Sequence, residues 1–146
     1  MSKSKENNPV DFQLAQIEPV GFSLTIPEGF KSGQPFQFRV SLESFIHSEK
    51  KKLIVTNQID IRDDSDAPML GQFTAKYHFD LFGMEHFKQD KKGKHLIPAD
   101  LQLAVNTIAL STTRGLLFAQ FRGTVLHNAI LPVIDAANFS TNEAGS

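Results

Sequence analysis

The fold of this protein is decided by a long alternating stretch, of which residues 36–46 read FQFRVSLESFI. Phe36, Phe38 and Val40 point to one side of an extended chain, because side chains of a strand alternate between its two faces. The residues between them are polar. One apolar face and one polar face are typical of an antiparallel sheet that is covered on one side only. This stretch is therefore predicted to be a strand of such a sheet.

Three further stretches have the same period of two and cover about 12–26, 52–62 and 69–82. Short polar turns separate the last three strands, which indicates hairpin connections. Pro19 lies inside the first stretch, and proline cannot donate a hydrogen bond to a sheet. We therefore expect the first strand at an edge or at a bulge. The four strands are predicted to form an antiparallel meander.

The pattern changes to that of a helix after the fourth strand. Pro98 suits the start of a helix, and Leu101, Val105 and Ile108 recur at spacings of three and four. Gly123 takes the usual place of a glycine after a helix end, so the helix is predicted over about 98–121. Strands followed by a helix predict an α+β fold, namely a four-stranded antiparallel sheet with a long C-terminal helix packed on one face.

Composition limits the kinds of protein that this chain can be. Its 146 residues suit one domain, predicted over 10–139 with disordered tails at 1–9 and 140–146. The absence of cysteine excludes disulfides, and a net charge of −1 provides no strong field to attract nucleic acid. The N-terminus lacks the apolar segment of a signal peptide, and no run reaches the ~18 apolar residues of a membrane span. We expect a soluble, cytoplasmic protein that neither binds nucleic acid nor inserts into a membrane.

No constellation of residues predicts catalysis. The sequence has neither a G-x-S-x-G nor an H-E-x-x-H motif, and its five histidines lack the spacing of metal ligands. The acidic turn at 63–66 lacks the glycine and the distal glutamate of an EF-hand calcium loop. The lysines of 88–94 are interpreted as a solvated loop. The prediction is a protein that is not an enzyme, with no catalytic residue, no metal and no cofactor.

Small residues four positions apart mark one side of the predicted helix, at Ser111, Gly115 and Ala119. Such a stripe lets another backbone approach closely, a rule best known from helix pairs in membranes. The stripe is equally compatible with close packing on the protein's own sheet. Self-association through this helix and internal packing are therefore equal alternatives.

Phenylalanine is unusually abundant, with 13 Phe against one Tyr and no Trp. Several apolar residues lie beside the loop after the fourth strand or at the end of the helix, where one core cannot take all of them. Exposed apolar surface marks interaction sites, and Phe and Met suit contacts with varied partners. The alternative is that the loop folds back and buries them. These residues are Phe82, Met84, Phe87, Phe118 and Phe121.

Two stretches of the sequence resemble the SecB family of export chaperones. The first strand, with Phe12, Gln13, Ile17, Ser23 and Pro27, resembles that family's opening strand. The stretch that contains RGT (122–124), LPV (131–133), Ala137 and Phe139 resembles the segment after its first long helix. The order of four strands, a crossover loop and a long helix also matches. The resemblance covers about 10–139.

The resemblance implies both an architecture and a function. The family's sheet carries packed helices, and two pairs of protomers join through their helices into a homotetramer, a dimer of dimers. Its members bind unfolded or precursor polypeptides without ATP, in apolar grooves beside the sheet and the crossover loop. Some deliver precursors to the translocase motor SecA, and related members restrain antitoxins of toxin–antitoxin systems.

Carried onto this sequence, the resemblance assigns two sets of residues. It places 111–115 at the tetramer contact, where the small-residue stripe gives Ser111, Gly115 and Ala119 as the interface. It places the start of the second strand beside the client groove and the crossover loop over it. With the helix end added, the predicted client-binding residues are Phe36, Phe38, Val40, Phe82, Met84, Phe87, Phe118 and Phe121.

The sequence departs from the export members in three ways. Gly21 and Thr25 stand where those members carry acidic residues for SecA, the chain ends soon after Phe139, and its charge is balanced rather than acidic. These departures count against SecA as a partner and leave polypeptide binding untouched. The predicted function is an ATP-independent chaperone that keeps unfolded or precursor polypeptides from folding or aggregating, with protein export as one role. The alternative is a dedicated chaperone of a toxin–antitoxin system that recognises one peptide.

Overall fold

The computed structural model describes residues 11–30, 35–63 and 68–139. Its strands are β1 (Asp11–Leu24), β2 (Gln37–His47), β3 (Lys52–Arg62) and β4 (Met69–Phe82). The long helix is α1 (Ala99–Gln120), and short 3-10 helices lie at Met84–His86 and Ala136–Asn138. The predicted elements differ from these bounds by at most two residues at either end. The α+β class, with a four-stranded antiparallel sheet and a long helix on one face, is confirmed. The predicted tails at 1–9 and 140–146 lie outside the described residues.

The strands lie in the order β1-β4-β3-β2, and all neighbours are antiparallel. β2, β3 and β4 form the predicted meander, but the prediction is wrong for β1, which pairs with β4 instead of β2. A short turn forces two strands to be neighbours, whereas the long connection between Leu24 and Gln37 does not. The result is a Greek-key order, in which Phe22 faces Phe73 and Phe12 faces Leu81 across the β1–β4 pair.

β1 is an irregular edge strand, as the position of Pro19 predicted. Its register against β4 shifts between Leu14 and Gln16 and again between Pro19 and Gly21. Each shift inserts an extra residue and bends the strand. The proline thus lies where the loss of one backbone donor costs least, at an edge and beside a bulge.

The two faces of the sheet differ in polarity, as the alternation predicted. The inner face carries the buried aliphatic and aromatic side chains of β3 and β4, such as Leu53, Ile59 and Phe79. The outer face is polar and carries cross-strand pairs, including Lys52 Nζ with Asp80 Oδ1 at 2.7 Å. Phe45 is an apolar exception on this outer face. One covered face requires the helix to lie on the inner side only.

α1 crosses the inner face along a diagonal. Near its start, Gln102 Nε2 donates a hydrogen bond to Ser44 Oγ in β2 (2.8 Å). Beyond its middle, Thr113 Oγ1 forms a hydrogen bond with the hydroxyl of Tyr77 in β4. Just past its end, the ring of Phe121 meets Phe22 of β1 edge-to-face, with centroids 6.1 Å apart. The diagonal leaves two corners of the inner face uncovered by the helix, at the start of β2 and at the start of β1.

Tyr77, the single tyrosine of the chain, gives the helix contact a pH dependence. Burial raises the pKa of its phenol above the ordinary value, and the hydrogen bond with Thr113 offsets part of that rise. Folding therefore favours the neutral phenol, whose contribution is full below the ordinary pKa of roughly 10. That contribution is lost as the pH rises through the higher pKa of the folded state.

Replacing Tyr77 by Phe is expected to lower the free energy of unfolding by about 1–2 kcal/mol at neutral pH, because Thr113 loses a buried partner. The gap between wild type and Tyr77→Phe should narrow as the pH rises above ~10, since the variant has no phenol to ionise. Urea unfolding at neutral and alkaline pH measures both quantities. A constant gap across the range would contradict the assignment.

Position 71 in β4 requires glycine, because the packing around it leaves no room for a side chain. A Cβ at this position would lie 2.6 Å from Leu126 Cδ1 and 3.3 Å from Phe121 Cζ, and both of those side chains are buried. Gly71→Ala is expected to destabilise the protein by about 1–3 kcal/mol through overpacking. Gly21→Ala is the matched control on the paired strand, because no atom lies within 4 Å of a Cβ there. Equal midpoints of thermal unfolding for the two variants would refute this packing.

Candidate functional site

The segment that follows α1 returns along the helix toward the start of β2. Arg114 of α1 holds it with two hydrogen bonds, from Nε to the carbonyl of Leu131 (2.9 Å) and from Nη2 to the carbonyl of Pro132 (3.1 Å). Leu126, which is fully buried, fixes the first part of the segment above Gly71. An irregular stretch thus takes a defined path because both of its ends are tied to regular elements.

A cleft of about 480 Å³ opens between this segment and the start of β2. One wall consists of Pro35, Phe36 and Phe38, and the other runs along the segment. Both phenylalanines are half-buried, so their rings have one side against the core and one side toward the cleft. The second wall is formed by Val125, Asn128, Ala129, Ile130 and Pro132.

The chemistry of the cleft suits binding rather than proton transfer. None of its lining residues is titratable, and Asn128 is the one polar side chain among them. An apolar cleft with few polar groups is the common form of a binding pocket. The arrangement can accept apolar side chains of a ligand, and none of its lining residues is an acid or a base.

The cleft lies beside an open strand edge. In the described part of the chain β2 pairs with β3 alone, so the other edge of β2 carries backbone groups without a partner strand. An extended peptide can pair with such an edge while its alternate side chains enter adjacent pockets. Val40, half-buried, continues the line of Phe36 and Phe38 along the same face.

The structure divides the eight predicted client-binding residues into three groups. Phe36 and Phe38 line the cleft, and Val40 lies next to them. Phe82 (52% exposed) and Phe118 (46% exposed) are on the surface at the end of β4 and on the helix, away from the cleft lining. The remaining three belong to the hydrophobic core: Met84, Phe87 and Phe121.

The three core residues are buried for a common reason. The diagonal helix leaves a corner of the sheet uncovered, and the loop after β4 folds back into the core with Met84 and Phe87. Phe121 is 1% exposed, because the helix ends against Phe22 and Gly71. In this conformation these side chains stabilise the fold and present no surface to a ligand, as the alternative of a folded-back loop describes.

The stripe of small residues on α1 points away from the sheet. Ser111, Gly115 and Ala119 are all exposed, and no atom lies within 4 Å of a Cβ placed on Gly115. Of the two alternatives for this stripe, packing on the chain's own sheet is therefore wrong. Leu103 and Phe118 lie on the same exposed side of the helix and add apolar surface to it.

The second wall of the cleft was missed at the level of sequence. Residues 125–132 have no period of two or of 3.6, so no regular element could be predicted there. A signal was present nonetheless, because Val125, Ile130 and Val133 are large apolar residues in a stretch without secondary structure. Apolar side chains outside a regular element often mark a surface that contacts something else.

Two features are absent from residues 11–30, 35–63 and 68–139, a membrane-spanning helix and a metal site. No helix in these ranges is long and apolar enough to span a membrane. No group of three or more His, Asp and Glu side chains in them is placed to hold a metal ion.

Comparison with known proteins gives a structural relative and no sequence relative. No family model matches the chain, and no curated protein matches it significantly. Its structure is similar to that of the SecB-like chaperone Rv1957 from Mycobacterium tuberculosis, solved in complex with a ChAD peptide from the Rv1956 HigA1 antitoxin. The two chains are 12% identical and superpose with a TM-score of 0.62 over 84% of this chain and 89% of that chain. The chain therefore has the fold of a SecB-like chaperone, as its sequence resemblance predicted.

Proposed function

We propose that this protein is an ATP-independent chaperone that binds unfolded polypeptides and keeps them from folding or aggregating, and that it is not an enzyme. The observation that carries the proposal is the apolar cleft between Phe36 and Phe38 on one side and Ile130 on the other. A folded protein hides its large apolar side chains, whereas an unfolded chain exposes them. A cleft without charged lining therefore selects unfolded chains through the hydrophobic effect.

The open edge of β2 would add backbone hydrogen bonds to this apolar contact. Such bonds do not depend on the client's sequence, whereas a pocket for alternate side chains prefers large apolar residues. The combination favours extended segments of many sequences. This breadth is what a general chaperone requires.

A homotetramer built through α1 fits the exposed side of the helix. The three positions Ser111, Gly115 and Ala119 carry no charge that would have to be desolvated, and the missing side chain at Gly115 allows close approach. Several clefts in one assembly would raise the apparent affinity for a long client. We place this assembly in the cytoplasm, where unfolded precursors are present.

Within the general function of a chaperone, two specific roles are considered: export through SecA and restraint of an antitoxin. Gly21 on the outer face of β1 is exposed and uncharged, so this position does not supply the acidic contact expected for SecA. The structural relative is a chaperone in complex with an antitoxin peptide. A dedicated role in a toxin–antitoxin system is thus the second candidate. Affinity purification from the source cells would support it by yielding one small partner, and a spectrum of unrelated unfolded proteins would contradict it.

The chaperone proposal is tested by light scattering during the aggregation of a chemically unfolded enzyme. Near-equimolar amounts of this protein should suppress the scattering to the same extent with and without ATP, because binding to the unfolded state removes it from aggregation. Absence of suppression, together with absence of binding to a permanently unfolded chain, would overturn the proposal.

A further inference from the structure

The basic residues of this chain are unevenly distributed. It has 15 lysines and arginines, and one end of the sheet collects six of the lysines on two loops. The first loop is the turn between β2 and β3, and the second lies between β4 and α1. All six side chains are exposed. We call this surface the basic end, and it consists of Lys50, Lys51, Lys88, Lys91, Lys92 and Lys94.

The second loop is a small, well-defined hairpin. The backbone N–H of Leu96 donates to the carbonyl of Lys88 (2.8 Å), and that of Asp90 donates to the carbonyl of Lys94 (2.9 Å). The carboxylate of Asp90 fixes the turn, since its Oδ1 accepts from the backbone N–H groups of Lys92 (2.8 Å) and Lys94 (2.9 Å). The hairpin therefore holds its lysines on a frame, and its one acidic side chain is occupied by that frame.

The two loops are held against each other and against the core. Ser48 Oγ and His95 Nδ1 form a hydrogen bond of 3.0 Å between the turn and the hairpin. The ring of His95 also packs edge-to-face on the buried Phe87, with centroids 6.2 Å apart. The carbonyl of Lys51 accepts from the backbone N–H of Leu81 in β4 (2.9 Å). The two loops are thus fixed relative to each other, and their lysines share one end of the sheet.

Few acidic groups compensate this charge. Among the described residues none of the six lysines forms a salt bridge, and Asp80 at the neighbouring strand end is paired with Lys52. Glu85 lies 3.8 Å from His86, and Asp90 is bound to its own turn. Glu49 is the remaining acid of the two loops. A concentrated positive surface therefore stands on a chain whose net charge is −1.

We propose that the basic end binds a partner polypeptide through a segment rich in Asp and Glu. Lysine ammonium groups are compact charges that pair with single carboxylates, and neither loop carries an arginine, whose planar fork would bind an acidic group at two points. The low net charge also gives little long-range attraction for nucleic acid. The site lies at the opposite end of β2 from the cleft, so an acidic partner and a client can be bound together.

Fluorescence anisotropy with a labelled peptide of alternating Glu and Ala tests the proposal. A Gln/Ala peptide of equal length is the neutral probe, and a single-stranded DNA of equal charge is the nucleic-acid probe. The variant Lys91→Gln/Lys92→Gln removes two charges from the hairpin, and Arg39→Gln/Arg122→Gln removes two exposed charges elsewhere.

The Glu/Ala peptide should bind at low salt, and the hairpin variant should weaken it by about two- to thirty-fold, at roughly 0.2–1 kcal/mol for each exposed charge pair. The arginine variant should bind as the wild type does, and higher salt should weaken binding in every case. Equal weakening in the two variants, or no binding of the Glu/Ala peptide, would overturn the proposal. Tighter binding of the DNA than of the peptide would overturn it as well.

Discussion

The variant Ile130→Asp is expected to bind an unfolded polypeptide about ten-fold more weakly than the wild type. Ile130 is 55% exposed and forms part of the cleft wall, so it has apolar surface left to bury against a client. Loss of roughly half of a buried aliphatic side chain corresponds to about 1.4 kcal/mol, which is a factor of ten. The carboxylate would also have to be desolvated, which increases the loss.

Val133→Asp is the matched control for this experiment. Val133 is three residues away, equally β-branched and 90% exposed, but it does not line the cleft. Both variants should unfold at the same temperature as the wild type, because neither side chain belongs to the core. Equal loss of affinity in the two variants, measured by titration with a fluorescent unfolded chain, would show that the cleft is not the site.

The variant Gly115→Leu is expected to reduce the mass of the assembly without unfolding the protomer. A leucine would project from the exposed side of α1, where a second helix is proposed to approach closely, whereas in the isolated chain no atom lies within 4 Å of its Cβ. Replacing a glycine inside a helix also gains up to about 1 kcal/mol of helix propensity. Loss of assembly should therefore accompany an unchanged or increased helical signal.

Multi-angle light scattering gives the mass, and circular dichroism gives the helical signal. Ala137→Leu serves as the control, because it adds similar bulk at an exposed position outside α1. A Gly115→Leu protein with the mass of the wild type would refute the helix contact. A reduced mass in both variants would refute it equally, since the effect would then not depend on α1.

The regular elements of this fold could be predicted because their residues repeat with the period of the structure. Leu53, Val55 and Phe79 occupy alternating positions, and the bounds predicted for β3 and β4 match the observed ones. α1 was equally predictable, since Pro98 precedes it and apolar residues recur at helical spacing. Local periodicity was sufficient wherever one face of an element is buried.

The partner of β1 and the exact burial of the helix could not be predicted from local pattern. A connection as long as that between Leu24 and Gln37 permits more than one neighbour, so pairing with β4 depends on contacts distant in sequence. Gln102 and Asn106 are buried and hydrogen-bonded to each other at 2.9 Å. Polar residues at these positions would be expected at the surface, and only the diagonal path of α1 over Ser44 explains them.

Only one wall of the cleft was predicted from the sequence, because the other wall has no periodic pattern. Phe36 and Phe38 belong to a periodic strand, and the resemblance to the SecB family implied that the start of this strand lies beside a groove. Met84 and Phe87 are apolar residues in a loop, and sequence alone cannot decide whether such a loop exposes them or folds back. The second wall depends on Arg114, whose hydrogen bonds to Leu131 and Pro132 fix a segment without periodicity.

Photo-crosslinking from position 130 tests the central claim most directly. A photo-reactive amino acid replaces Ile130 in one protein and, as a control, Phe45 in another, because Phe45 is 59% exposed but lies on the outer face of β2. With a permanently unfolded client we predict an adduct from position 130 and little or none from position 45. With a stably folded protein in place of this client, we predict no adduct from either position. An adduct from position 45 without one from position 130 would contradict the account, because the client would then lie on the opposite face of the sheet.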